Sequence, residues 1–298
     1  MNQLQSFLEG FTLFGLEKHQ ILDFLRNALS WKIAGSILAL YFAYGFSVVF
    51  MFHFRAILNE KKGREYKQKI DRKRFDFIQV DGEKEKLIVN STIRELRNLQ
   101  IKGKLTSVEI VTVYSQRAHT IGKELCYITE EFYDQALEIA QQRDVQMKDA
   151  IKNQDFSKIG LLHGIPMSFK DQLQVKGINK TNCTSALVNN ISQEDAIHVQ
   201  CLREHGGIPF IKSNMPQLTI SLNSANSVFG QGKNPYDHSR SIGGSSGGEG
   251  GLISTRCSPL GFGTDTMGSV RNPAHFCGVA GFKPTPDRIS CLTEQVDA

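Results

Sequence analysis

Serines stand in two glycine-rich turns close together in the chain. Ser245 and Ser246 lie in GGSSGGEG (243–250), Ser269 lies in GTDTMGS (263–269), and Asp265 and Arg271 flank the second turn. Glycine lets a backbone approach a ligand closely and present its N–H groups. Two such turns joined by a short apolar segment therefore describe a place where hydroxyls and backbone donors converge on a substrate, which is the equipment of acyl transfer.

The first turn admits three readings. As a phosphate cradle it fails, because no GK[ST] follows and the order of residues is not that of a dinucleotide fingerprint. As a nucleophile elbow, 244–248 satisfies GxSxG with Ser246 at its centre. That motif should follow a strand and precede an acid and a histidine, whereas here NPYDHSRSIGG is a loop and Asp265 and His275 follow too closely. The third reading needs a lysine base, since serine is a weak nucleophile until its proton is taken, and a neutral lysine can take it. Lys170 ends an apolar run and qualifies, but most lysines are solvated surface charges and spacing alone does not single it out.

Taken jointly, HGIPMSFKD (163–171), FGQGKNP (229–235), GGSSGGEG (243–250) and SPLGFGTDTMGSVRNPAHFCGVAGFKPT (258–285) resemble the amidase signature family, and its membrane-anchored fatty acid amide hydrolase subgroup in particular. The resemblance extends over roughly residues 92–290. It implies an α/β fold with a mixed, twisted central sheet flanked by helices. It also implies a serine hydrolase that cleaves amide or ester bonds, here of fatty acid amides, through an acyl-enzyme.

By the same resemblance Lys170 is the base, Ser245 the bridging serine that follows a cis peptide at Gly244, and Ser269 the nucleophile. Ser246, Asp265 and Arg271 become structural supports. The substrate contacts implied are Ser245, the backbone N–H groups of Thr266, Met267, Gly268 and Ser269 around the oxyanion, and an acyl channel past Thr219, Ile220 and Leu222. Two departures stand out. Met267 occupies a position where the family places glycine, and a positive φ there would cost methionine roughly 1–2 kcal/mol. Family members also continue well beyond GFKPT, so the resemblance implies a domain truncated at its C-terminal side, with exposed sheet edges.

The elements that must position these residues are partly legible. Ile33–Phe52 holds no charged residue over 20 positions, matching the roughly 20 residues that cross about 30 Å of hydrocarbon. Lys18, Arg26 and Lys32 precede it, while Arg55, Lys61, Lys62, Arg64, Lys67, Lys69, Arg72, Lys73 and Arg74 follow. This excess predicts a single span with its C-terminal side in the cytosol, for example on the endoplasmic reticulum. The division expected is an N-terminal segment 1–30, a transmembrane helix 31–54, a basic linker 55–84 and an incomplete amidase domain 85–298.

Within that domain Thr92-x-x-Glu95 and Thr106-x-x-Glu109 read as capping boxes, with Gly103 stopping the first helix. A third helix is expected from Glu130 to Gln142, burying Phe132, Ala136, Ile139 and Ala140. Ile165–Phe169 reads as a strand with Ser168 and Lys170 on its polar face. A helix over Glu194–His205, ended by Gly206-Gly207, precedes a strand over Ile208–Ile211.

The formal charge of +5 gives little reason to expect nucleic acid as a partner. The six cysteines include no CxxC pair and the histidines no HExxH, so neither a zinc site nor a disulfide framework is expected. No cofactor is implied, because the relay uses only side chains and backbone donors. The partners expected are a lipid amide or other small amide, the membrane and, from the subgroup resemblance, a second copy in a homodimer. The alternative is a catalytically inactive, membrane-tethered interaction protein that keeps the motifs without the rest of the fold. An amidase subunit of a transamidation complex is disfavoured by the span.

Overall fold

The computed structural model describes residues 19–20 and 31–290. The expected N-terminal segment 1–30 lies, save for two residues, outside them. The chain divides into two units, 1–58 and 59–298. In the first, helix α1 (Trp31–Asp71) carries the apolar run. From Ser36 to Phe54 it leaves Ile37, Leu40, Phe46 and Phe52 exposed. Among the described residues it is the one helix long and apolar enough to cross a membrane.

In the second unit the last turns of α1 are not a solvated linker. Tyr66 and Ile70, one helical turn apart among lysines, are buried. Tyr66 meets Phe229 edge-on with ring centroids 6.2 Å apart, and its hydroxyl donates to Glu130. Helices α2 (Gly82–Asn90), α3 (Ile93–Ile101) and α4 (Ser107–Arg117) follow. Both capping boxes form as the sequence predicts: Thr92 and Thr106 accept from the backbone of Glu95 and Glu109, whose carboxylates reach back. Gly103 takes φ +63° after α3.

Strand β1 (Ile128–Glu131) corrects the expected start of the third helix. Glu130 and Glu131 pair with Lys212 and Ile211 across an antiparallel ladder. Helix α5 (Tyr133–Asn153) begins only after them and runs eleven residues past the expected end at Gln142. The helical spacing of Phe132, Ala136, Ile139 and Ala140 does not mark where the helix begins, so Glu130 and Glu131 were included in it. Their charges are instead met within the fold, Glu130 by Lys73 and Glu131 by Lys123 and His119.

The sheet is completed by β2 (Pro166–Lys170), β3 (Ile208–Ser213), which follows α6 (Ile197–Glu204), and the two-residue β6 (Gly261–Phe262). Its order is β1-β3-β2-β6. The β1–β3 pair is antiparallel while β3–β2 and β2–β6 are parallel, so the sheet is mixed. A small hairpin, β4 (Ala225–Asn226) with β5 (Gly230–Gln231), stands apart from it. The expected polar face of β2 does not exist: β3 and β6 pair along its edges, its faces are packed inside the fold, and all five residues are buried. Buried parallel strands lack the alternation of half-exposed ones, and the polar side chains they carry must then find partners inside.

Helix α7 (Gly247–Ser254) lies across this sheet and owes its closeness to glycine. A Cβ at Gly248 would stand 2.5 Å from Asn214 N and 2.6 Å from Tyr127 O, and one at Gly251 2.5 Å from the Tyr127 ring. At Gly248 the obstacle is backbone, which cannot rotate away. Gly248→Ala is therefore expected to destabilise the chain by about 1–3 kcal/mol, as overpacked cores do. Chemical denaturation in detergent followed by far-ultraviolet circular dichroism checks this, and an unchanged midpoint would show that α7 is free to shift.

Candidate active site

Lys170 is the last residue of β2 and is completely buried. Its Nζ lies 2.7 Å from Ser245 Oγ and 2.8 Å from Thr264 Oγ1, donating to both. The Thr264 hydroxyl in turn donates a hydrogen bond to Gln172 Oε1 at 3.0 Å. Lys170 is thus aimed by residues on either side of it. Neither Thr264 nor Gln172 was singled out from sequence, although one directly precedes Asp265 and the other follows Lys170 by two positions.

Ser245 sits where the 243–246 turn enters α7, behind a cis Gly244–Ser245 peptide. Gly244 N donates to Asn272 Oδ1 at 3.1 Å. A Cβ on Gly244 would approach Ser221 O and the Leu222 carbonyl carbon at 2.8 Å, so residues 221–223 run directly against the turn. Ser246, buried, holds the second turn, because its N–H donates to Ser269 O at 3.0 Å and its hydroxyl to Thr264 O at 3.4 Å. The two serine turns are tied backbone to backbone. No hydrogen bond joins the Ser245 and Ser269 hydroxyls.

Asp265 organises the loop before Ser269. Its carboxylate accepts Gly268 N at 2.6 Å, Val270 N at 3.1 Å and Arg271 N at 3.2 Å, and takes the Arg271 guanidinium through Nε and Nη2, each at 2.9 Å. The arginine, helped by the three backbone donors, holds the Asp265 carboxyl far below the usual carboxylate range.

One consequence concerns the expected oxyanion donors. Gly268 N–H is committed to Asp265, whereas no backbone carbonyl takes the N–H of Thr266, Met267 or Ser269. The residue at positive φ in this loop is Gly268, at +115°, and Met267 is not among the residues at positive φ. The Met267 side chain is 86% exposed and points away from the turn. Methionine is therefore accommodated without left-handed strain.

Thr219 lies in a short 3-10 turn, Gln217–Thr219, at φ +64°, with its hydroxyl bonded to Leu218 O at 2.6 Å. Ile220 and Leu222, which follow it towards Gly244, are exposed, as is Phe282 beyond α8 (Arg271–Phe276). The apolar side of the site is open.

Sequence comparison now adds the family. The amidase family pattern matches residues 109–295. This chain belongs to the amidase family. It is 34% identical over 236 residues to vitamin D3 hydroxylase-associated protein of Gallus gallus, covering 78% of this chain and 46% of that one. It is 47% identical over 131 residues to fatty-acid amide hydrolase 1 of Sus scrofa, covering 44% and 23% respectively. Among solved structures, a fatty acid amide hydrolase superposes with a TM-score of 0.64 at 26% identity, over 73% of this chain and 41% of that one. An amidase family protein from Bacillus anthracis str. Ames gives 0.62 at 29% identity, over 72% and 43%. The chain spans less than half the length of each of these relatives, and its sheet is the amidase sheet in part.

The Asp265 knot makes a stability prediction. Asp265→Asn is expected to cost about 1.5–3 kcal/mol near pH 7, mostly from weakened bonds to backbone N–H groups. The arginine side of the ion pair is exposed and screened by solvent, so it adds little. Because the folded state lowers the proton affinity of Asp265, this stability is present above the unfolded carboxyl pKa of about 3.9 and fades as the pH falls below it. Melting both proteins from pH 8 to pH 3 should show their difference narrowing at the acid end. A constant difference would mean that the carboxylate's charge plays no part.

Proposed function

We propose that this chain is the relay-bearing part of a membrane-anchored serine amidase acting on fatty acid amides, or on their esters. The observation that carries the reading is the buried 2.7 Å contact between Lys170 Nζ and Ser245 Oγ. A lysine set against a hydroxyl in a water-excluded site is suited to exchange protons with it. With the amine neutral, Ser245 passes its proton to Lys170 and takes one from Ser269. The Ser269 oxygen then adds to the amide carbonyl, and the carbonyl π electrons move onto oxygen. Collapse of that adduct breaks the C–N bond, and the relay returns its proton to the leaving amine. Water then repeats the sequence on the acyl-enzyme.

In this reading the free N–H groups of Thr266, Met267 and Ser269 face the developing oxyanion, where one donor is worth about 3–4 kcal/mol in other hydrolases. The acyl chain lies along Thr219, Ile220 and Leu222, whose apolar neighbours are open to receive it. The apolar length of α1 supports a membrane anchor, and the basic excess after it supports a cytosolic active site. Protease added to intact microsomes should then digest the region beyond Arg74; full protection would reverse the orientation.

A second reading, an inactive membrane-tethered interaction protein, is favoured by one observation. Ser269 lacks a hydrogen bond to Ser245. A fluorophosphonate probe separates the two. The amidase reading expects covalent labelling that vanishes in Ser269→Ala and slows roughly a hundred- to ten-thousand-fold in Lys170→Ala. Folded protein that does not label identifies the inactive one.

A further inference from the structure

Glu249 is a buried carboxylate for which the relay has no obvious use. It stands in the first turn of α7, three residues after Ser246, and its side chain reaches back to β2. Ser168 Oγ donates to Glu249 Oε2 at 2.5 Å. Ser168 precedes Lys170 by two residues, so both side chains leave β2 on the same face. The space between is narrow, since a Cβ on Gly261 of β6 would stand 2.1 Å from Glu249 Oε2. Oε1 makes no hydrogen bond of good geometry, the Ser213 hydroxyl being its polar neighbour. The cations whose fields reach it are Lys170 on β2 and Lys212 on β3, with the Ser168 and Ser213 hydroxyls beside it.

An acid with one unsatisfied oxygen, in a sheet that already packs well, is an expensive residue to keep for structure alone. A carboxylate of this kind acts at a distance on the nearest group that gains a positive charge. In the proposed relay that group is Lys170, which becomes an ammonium when Ser245 surrenders its proton. We propose that Glu249 is the positioning residue of the relay: its carboxylate, held on Ser168, is the counter-charge that stabilises the protonated Lys170 formed as Ser269 attacks. It exchanges no proton with substrate.

The placement suits the task. Glu249 sits on the helix that the Ser245 turn leads into, and its hydrogen bond is made to the strand that carries Lys170, so one side chain ties acceptor and donor of the proton together. Burial pushes its own pKa up to about 7, against the pull of Ser168, Ser213, Lys170 and Lys212. Its charge therefore changes within the range of ordinary assays. A cavity of about 60 Å³, lined by Ser246, Glu249, Gly250 and Val270 among others, is large enough for water to carry that proton in and out.

The inference rests on the Ser-Ser-Lys reading, and labelling separates the two. The measurement is the fluorophosphonate labelling rate of the full chain from pH 5 to pH 10, at several probe concentrations, for wild type, Glu249→Gln and Ser168→Ala. Glu249→Gln keeps the shape of the side chain and removes its charge. It is expected to bind probe as before, to label roughly tenfold more slowly at the plateau, and to move the acidic limb of the profile down by about one pH unit, because Lys170 loses a negative neighbour. Ser168→Ala should move the limb the same way by less, since it leaves the carboxylate less readily ionised.

A fold defect gives a different signature. Because folding raises the proton affinity of Glu249, the stability that goes with its neutral form is full below the unfolded carboxyl pKa and is lost as pH rises through about 7. Glu249→Gln should consequently melt no lower than wild type at pH 8. Profiles that superimpose on wild type, or a change in probe affinity alone, overturn the proposal. A wild-type chain that never labels fails the relay itself, and the counter-charge falls with it.

Discussion

The structure turns on the burial of a lysine. Lys170 ends a strand that is covered on both faces, and an amine taken wholly out of water needs oxygen partners whether it is charged or neutral. Ser245 and Thr264 are those partners, and each comes from a different loop. Satisfying one nitrogen therefore brings the turn 243–246 and the segment 263–265 to the end of β2, and Thr264 draws in Gln172 behind them. The cost of leaving the amine bare is what makes this arrangement obligatory rather than convenient.

Glycine supplies the room. Helix α7 can lie against the Asn214 and Tyr127 backbone only because Gly248 has no Cβ, and the 221–223 segment can pass the first turn only because Gly244 has none. The same residues that looked in sequence like flexible loops thus act as contact surfaces. Their small size positions Ser245 from two sides, while the Ser246–Ser269 backbone bond carries that position over to the second turn.

Local signals survived the passage from sequence to structure, and those that depended on burial did not. The two capping boxes could be read because all their partners lie within four residues. The mixed α/β architecture followed from a joint set of motifs, and it is what the amidase relatives share. Glu130 and Glu131 were misread because the helical spacing of the apolar residues that follow does not mark where the helix begins; only their pairing with Lys212 and Ile211, distant in sequence, shows that they belong to β1. The polar face expected on β2 failed similarly, since alternation does not reveal that Glu249 and Thr264 will pack against Ser168 and Lys170. Thr264, Gln172 and Glu249 were invisible for that reason too, being ordinary polar residues until the fold closes water out around them. The commitment of Gly268 N–H to Asp265 is a matter of loop geometry, on which sequence is silent.

Asp265 draws the turn before Ser269 closed around its carboxylate, with three N–H groups of the same chain and the Arg271 fork bound to one side chain. The loop is therefore ordered by a charge it carries itself. Entropy that an adaptable loop would lose on meeting a ligand has already been surrendered during folding, so association has less disorder to remove. A site organised in this way accepts or rejects a ligand by shape on first encounter, with little capacity to adjust afterwards.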